Sequence, residues 1–131
     1  MTVRLLLADD HPVVRAGLRA VLDTESDFEI VAEAASAEEA VRLAGELDVD
    51  VVLMDLQFGA GMHGSMHGSQ ATAAICVGPD PPKVLILTTY ETDADILAAI
   101  EAGASGYLLK DAPPEELAAA VRTAAAGQSA L

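Results

Sequence analysis

The stretch Asp50-Val51-Val52-Leu53-Met54-Asp55 constrains the fold of this chain more than any other. Four consecutive apolar residues, two of them β-branched, fit a strand buried on both faces of a parallel sheet. Such a strand runs through the middle of its sheet, and its last residue emerges at the carboxyl edge. Open α/β sheets bind their ligands at that edge. Asp55 is thereby placed where an ionised carboxylate can meet an ion or a substrate. Asp9, Asp10, Thr88 and Lys110 each follow a similar apolar run.

The rest of the chain repeats this strand-and-helix pattern. Residues 3–8 read as a short buried strand stopped by Asp9-Asp10. His11-Pro12 opens a helix with Pro12 at its first position, where a missing N–H costs nothing. Val14, Leu18, Val21 and Leu22 then recur at helical spacing. Residues 28–33 alternate in part, as expected of a strand near a sheet edge. Ser36-Ala37-Glu38-Glu39 is a capping box, and the helix it opens turns Ala40, Val41, Leu43, Ala44 and Leu47 to the core. Residues 56–69 read as a glycine-rich loop holding the tandem repeat Met62-His63-Gly64-Ser65, Met66-His67-Gly68-Ser69. A short helix is expected over 70–76, ended by Gly78-Pro79-Asp80-Pro81-Pro82.

Residues 84–87 form another buried strand, with Thr88 and Thr89 at its end. A helix follows over 93–102, capped by Thr92 and closed by Gly103. The last strand, Tyr107-Leu108-Leu109, ends in Lys110, and Pro113 or Pro114 starts the final helix with Leu117, Ala120, Val121 and Ala124 facing inward. Strands alternating with helices five times predict an α/β, doubly wound parallel sheet with helices on both faces. Residues 1–131 are read as one domain without a linker, the last helix fraying at 127–131.

Composition narrows the function. Aromatic residues are only 3% while hydrophobic residues are 52%, so the core must be aliphatic. Twenty-one acidic residues against seven basic ones give a net charge of −14. That opposes direct contact with nucleic acid or an anionic membrane and is compatible with a cation site and with partners that present basic patches. Cys76 is the sole cysteine, which excludes an internal disulfide and reads as a small buried hydrophobe. The amino terminus reaches Asp9-Asp10 too soon for a signal peptide, and no run approaches the ~20 apolar residues of a membrane span. A cytoplasmic protein is expected.

The strand ends carry the chemistry. If the first and third strands are neighbours, Asp9, Asp10 and Asp55 converge, and a pair of carboxylates ~4 Å apart repels by roughly 4 kcal/mol at an effective dielectric near 20. A proton or a cation must relieve that repulsion. An open all-oxygen site suits Mg²⁺, which keeps several waters and accepts phosphate oxygens. Asp55 could then attack phosphorus to give an aspartyl-phosphate, with Lys110 and Thr88 stabilising charge on the transferred group. Each residue has a plainer reading: a strand-end carboxylate is often merely solvated, Lys110 could be a surface charge, and Asp9-Asp10 could cap the first helix. The case rests on their coincidence at successive strand ends.

Leu7-Ala8-Asp9-Asp10-His11-Pro12, Val52-Leu53-Met54-Asp55, Leu87-Thr88-Thr89 and Gly106-Tyr107-Leu108-Leu109-Lys110-Asp111 together resemble the receiver domain of two-component response regulators from end to end. Asp10-His11-Pro12-Val13-Val14-Arg15 and Tyr107-Leu108-Leu109-Lys110-Asp111 most resemble its NarL/FixJ (LuxR-type) branch. The resemblance implies a flavodoxin-like fold of five strands in the order 2-1-3-4-5 with five helices. It implies that Asp55 accepts a phosphoryl group from the phosphohistidine of a sensor histidine kinase. Asp10, Asp55 and the backbone carbonyl of Gln57 would hold Mg²⁺, with Asp9 acting through a bound water. Thr88 and Tyr107 would be the switch pair. Phosphorylation in this branch adjusts homodimerisation, through the first and last helices or the face formed by the fourth helix, fifth strand and fifth helix. DNA would be contacted only by a helix-turn-helix output domain, which these residues do not include. Catalysis by the domain itself would extend no further than self-phosphorylation and slow self-dephosphorylation.

One departure stands out. Phe58-Gly59 replaces the family's Met-Pro, and the doubled Met-His-Gly-Ser lengthens the following loop. His63 and His67 at i, i+4 could chelate a transition metal on a helix, but Gly61, Gly64 and Gly68 argue for a solvated loop instead. Three other functions are weighed against the main reading. A phosphorylation-independent interaction module would have the same fold with an uncoupled site. A stand-alone phosphohydrolase would usually carry a second Asp two residues after the nucleophile, where this chain has Gln57. A flavin-binding protein of this topology would need a Ser/Thr/Gly-rich phosphate loop after the first strand, which is missing.

Overall fold

The computed structural model describes residues 2–56, 66–89 and 93–128. Strands and helices alternate as β1 (Val3–Ala8), α1 (Pro12–Leu22), β2 (Phe28–Ala34), α2 (Ala37–Glu46), β3 (Val51–Asp55), α3 (Gly68–Ile75), β4 (Lys83–Thr88), α4 (Asp93–Glu101), β5 (Gly106–Leu109) and α5 (Pro114–Ala125). The strands form one parallel sheet in the order β2-β1-β3-β4-β5. The chain leaves β1 toward one edge and β3 toward the other. Their shared carboxyl end is therefore the switch point where doubly wound sheets form a crevice.

β3 is buried along its whole length, as its unbroken apolar run requires of a central strand. Alternate side chains feed two cores. On one face Leu6, Val52, Met54 and Ile86 meet small residues of α2, α3 and α4, among them Ala40, Ala71 and Ala99. On the other, Leu5, Leu7, Leu53 and Leu85 meet Leu22 of α1 and Leu117 and Val121 of α5. Alanines under the helices let the backbones come close, which fills the core without aromatic bulk. No helix among the described residues is long and apolar enough to cross a membrane.

Local signals act largely as expected. Pro12 is the first residue of α1. Ser36 Oγ accepts from the backbone N–H of Glu39 at 3.1 Å, and Glu39 Oε1 reaches one residue further back than the usual box, to the N–H of Ala35 at 3.0 Å. Gly103 closes the α4 turn with φ +115°, a left-handed value that suits glycine. The expected cap Thr92 lies outside the described residues. Three expectations need correction. Leu47 is the C-cap of α2 and is 39% exposed, because the helix ends before its last apolar position turns inward. Cys76 is half-buried, its Sγ 3.6 Å from the carbonyl of Gly103, and burial pushes its thiol pKa up. Finally, α3 begins at Gly68, inside the second copy of the repeat, where Met66 already packs on the core.

A charged cluster ties α1 to β2. Arg15 Nε and Arg19 Nε stand 3.1 and 2.7 Å from the two carboxylate oxygens of Glu33. The hydrogen bond from Arg19 outweighs partial burial and holds the Glu33 carboxyl below its ordinary value of 4.5. A carboxyl depressed by folding stabilises the fold above its unfolded pKa, and the effect fades as pH falls through the folded value. Glu33→Gln should therefore cost about 1 kcal/mol near neutrality, with the gap from wild type shrinking below pH 4.5. Urea midpoints of the two proteins at pH 7 and pH 3 check this; an equal gap at both would contradict it.

Candidate functional site

Parallel register builds the site. Leu5 pairs with Val51 and Ala8 with Met54, so one further step sets Asp9 opposite Asp55 at the switch point. Both are nearly inaccessible, at 1% and 0% exposure, whereas Asp10 is exposed at the rim. β5 runs beside β4, and the backbone N–H of Lys110 donates to the carbonyl of Thr88 at 2.9 Å. That bond delivers the lysine to the same edge. Its Nζ lies 3.0 Å from Oδ2 of Asp9 and 3.1 Å from Oδ1 of Asp55. The Asp9 contact is an ion pair and not an aligned hydrogen bond. Burial pulls the Lys110 pKa down, but its contacts with Asp9 and Asp55 outweigh this, and the net shift is upward. Lys110 is therefore a fixed positive charge between two buried carboxylates.

Backbone contacts hold the acidic turn in shape. The N–H of Asp9 donates to the carbonyl of Ala34 at 3.1 Å, and that of His11 to Oδ1 of Asp9 at 2.8 Å. Arg15 Nη1 donates to the carbonyl of Asp9 at 2.6 Å, joining the turn to the Glu33 cluster. His11 Nδ1 stands 2.9 Å from Oδ1 of Asp10 and 3.1 Å from Oδ1 of Asp9. One donor atom from each of Asp9, Asp10, His11 and Asp55 lies within 4.8 Å of all the others. Three carboxylates against one ammonium leave two negative charges, which a divalent cation would cancel. This set of hard oxygens could hold such an ion.

Asp9, Asp10, Asp55 and Lys110, widely separated in the chain, thus share one pocket. Thr88 is fully buried at the end of β4, on the same sheet face as Ile86. Tyr107, the register partner of Ile86, is half-buried against the core on that face. Gln57, expected to lend its carbonyl, and His63 lie outside the described residues. His67 is the N-cap of α3, and its N–H donates to Oε1 of Gln70 at 2.8 Å.

His11, Arg15 and Gly68 also belong to the site, although sequence alone assigns them no role there. His11 and Arg15 lay within the quoted motif, and their roles depend on how α1 leaves the strand. Gly68 is pressed against the phosphoacceptor candidate. A Cβ there would stand 2.5 Å from the carbonyl oxygen of Asp55 and 2.8 Å from Cα of Leu56. Helix α3 can therefore start where it does only with glycine at this position. Helical glycine is unfavourable by about 1 kcal/mol in an interior, but this one occupies the first turn.

This constellation, an acidic pocket bridged by lysine at the switch point of a 2-1-3-4-5 sheet, can be compared with known proteins. The chain matches the family of response regulator receiver domains over residues 5–122. It is 45% identical over 129 residues to the transcriptional regulatory protein LiaR of Bacillus subtilis (strain 168), a match spanning 98% of this chain and 59% of that protein. A LuxR-family two-component response regulator from Aurantimonas sp. SI85-9A1 superimposes with a TM-score of 0.87 at 40% identity, covering 98% of this chain and 89% of that one. The signal receiver domain of a NarL response regulator from Mycobacterium tuberculosis gives a TM-score of 0.88 at 31% identity, covering 97% and 98%. The chain belongs to the response regulator receiver domain family, in its LuxR-type (NarL/FixJ) branch. It spans about three-fifths of the length of the curated relatives it matches.

Two substitutions probe the geometry. Gly68→Ala should destabilise the protein by about 1–3 kcal/mol through overpacking and weaken divalent-ion binding by displacing Asp55. Thermal melts with calorimetric titration read both effects. Asp10→Asn relieves like-charge crowding, so in EDTA it should raise the melting temperature by a few degrees, on the order of 1 kcal/mol. It should also remove the further rise that millimolar MgCl₂ gives the wild type.

Proposed function

We propose that this domain is a phosphorylation switch in which Asp55 accepts a phosphoryl group from the phosphohistidine of a sensor histidine kinase. One observation supports this above the others: Lys110 bridges Asp9 and Asp55 at 3.0 and 3.1 Å, at the mouth of the switch-point crevice. A carboxylate oxygen of Asp55 attacks phosphorus, and the phosphorus–nitrogen bond breaks with its electron pair returning to the donor imidazole. Asp10 and Asp55, with the carbonyl of Gln57, would hold Mg²⁺, and Asp9 would act on it through a water. When bound, the ion offsets negative charge on the incoming group and on the carboxylates. Lys110 exchanges its carboxylate contact for an oxygen of the transferred group and stabilises that charge. The Thr88 hydroxyl turns toward the new group, and Tyr107 moves into the space it leaves.

The consequence of switching is read at the surface. The α1–α5 side has a cleft of about 250 Å³ lined by Val14, Leu18, Val21 and Leu117, and Val13, the residue before Val14 on α1, is 84% exposed. This apolar material supports homodimerisation through the first and last helices, with the face of α4, β5 and α5 as the other candidate. By likeness to LiaR, a transcriptional regulatory protein, the output is control of transcription in the cytoplasm. The net charge of −14 supports leaving contact with DNA to an output domain and not to this one. Chemistry of its own is confined to self-phosphorylation and slow self-dephosphorylation.

Incubation with MgCl₂ and acetyl phosphate should raise the mass by one phosphoryl group, and Asp55→Asn should abolish the gain. Absence of any adduct would instead favour a phosphorylation-independent interaction module. Lys110→Ala, assayed in MgCl₂ to offset the lost positive charge, should remain folded yet be phosphorylated roughly 100-fold more slowly. A normal rate together with a normal downstream response would remove Lys110 from the mechanism.

A further inference from the structure

His11 stands at the acidic site without a part in the phosphoryl chemistry described above. Its backbone N–H is bonded to Oδ1 of Asp9 at 2.8 Å, so the His11 main chain and the Asp9 carboxylate belong to one turn. The ring nitrogen Nδ1 lies 2.9 Å from Oδ1 of Asp10 and 3.1 Å from Oδ1 of Asp9. Two ligands at right angles on a metal, with bonds of about 2.0–2.1 Å, are about 2.9 Å apart. The His11–Asp10 spacing is that of a hydrogen bond and matches equally that of neighbouring ligands on one ion. The four donors lie within 4.8 Å of one another, and an octahedral shell is about 4.1 Å across. That spread allows Asp10, His11 and Asp55 to face one ion, with Asp9 acting through a water.

The opposite flank is already occupied. Lys110 faces Oδ2 of Asp9 and Oδ1 of Asp55, leaving Oδ1 of Asp9 and the exposed Asp10 to the His11 side. The His11 side chain is 62% exposed, so the ring can be reached from solvent and reoriented at little cost. Carboxylates only accept, so Nδ1 is the donor in its contact with Oδ1 of Asp9; with the proton on Nε2 instead, its lone pair would face an ion that replaced that contact.

We propose that His11 is a nitrogen ligand of this site, and that its imidazole raises the preference of the site for first-row transition ions such as Mn²⁺ or Co²⁺ over Mg²⁺. This assignment rests on the metal-assisted reading above and adds a ligand that sets the preference of that site among divalent ions. Magnesium is served by oxygen donors and retains its waters, whereas imidazole suits the transition ions. Almost any site favours Co²⁺ over Mg²⁺, so the informative quantity is how that preference changes when the ring is removed.

Pulsed EPR of the whole 131-residue chain loaded with Mn²⁺ reads nitrogen ligation directly. Calorimetric titrations with MgCl₂ and with CoCl₂ then compare wild type with His11→Gln, and circular dichroism verifies that both are folded. The expected result is an imidazole nitrogen coupling in the wild type that disappears in His11→Gln, with Co²⁺ affinity falling at least about tenfold further than Mg²⁺ affinity. Absence of the coupling in the wild type overturns the assignment. So does a coupling that survives in His11→Gln, which would come from another histidine. Equal losses for the two ions also overturn it, since charge or packing would then account for both. A wild-type chain that binds neither Mg²⁺ nor Mn²⁺ refutes the metal-assisted reading itself, and the His11 assignment with it.

Discussion

Electrostatic crowding at the carboxyl end of β1 and β3 is the constraint around which this molecule is arranged. Register sets Asp9 opposite Asp55, and both are sealed from water. Carboxylates so placed cannot relax their repulsion through solvent as surface groups do. Lys110 compensates for part of it from the neighbouring side of the sheet, which explains why a lysine is nearly buried here. The remaining excess of negative charge is what makes the pocket receptive. A site fully neutralised by its own side chains would have little affinity for a cation.

Such a pocket needs rigid walls, because small displacements change the Coulomb balance sharply. The walls are mostly main chain. The Asp9 turn is pinned through its amide by Ala34, through its carbonyl by Arg15 and through its side chain by the amide of His11. The Asp55 side is flanked by the backbone of Gly68, and the amide of Leu56 donates to the carbonyl of Leu87 at 2.9 Å. Arg15 has a second role, since Glu33 also grips it. The acidic turn is thereby coupled to helix α1, half of the apolar surface on which dimerisation is proposed.

Most of this architecture could be read from residue order. Buried strands appear as apolar runs because both of their faces are covered, and Asp9, Asp10, Asp55 and Lys110 stood out because each ends such a run. The helix signals at Pro12 and Ser36 were equally local. What escaped were relations that depend on tertiary approach. Gly68 was one glycine among several in a polar stretch, and nothing in its neighbours reveals that Asp55, thirteen residues earlier, lies against it. The helix boundary moved for the same reason. Leu47 fitted the helical period of α2, yet the backbone turned away before that position could be used. Arg15 and His11 lay in the motif that identified the family, but their partners are set by the angle at which α1 departs.

The contact between Gly68 and the Asp55–Leu56 backbone also bears on how this chain tolerates its duplicated Met-His-Gly-Ser. The two ends of the intervening segment meet at a single point, so added residues enlarge a ring whose fastening stays where it is. Doubling the contour of a closed loop costs only about 0.6 kcal/mol in chain entropy. By this chain-entropy scale, extra length between Leu56 and Gly68 weighs little on stability so long as that contact is kept.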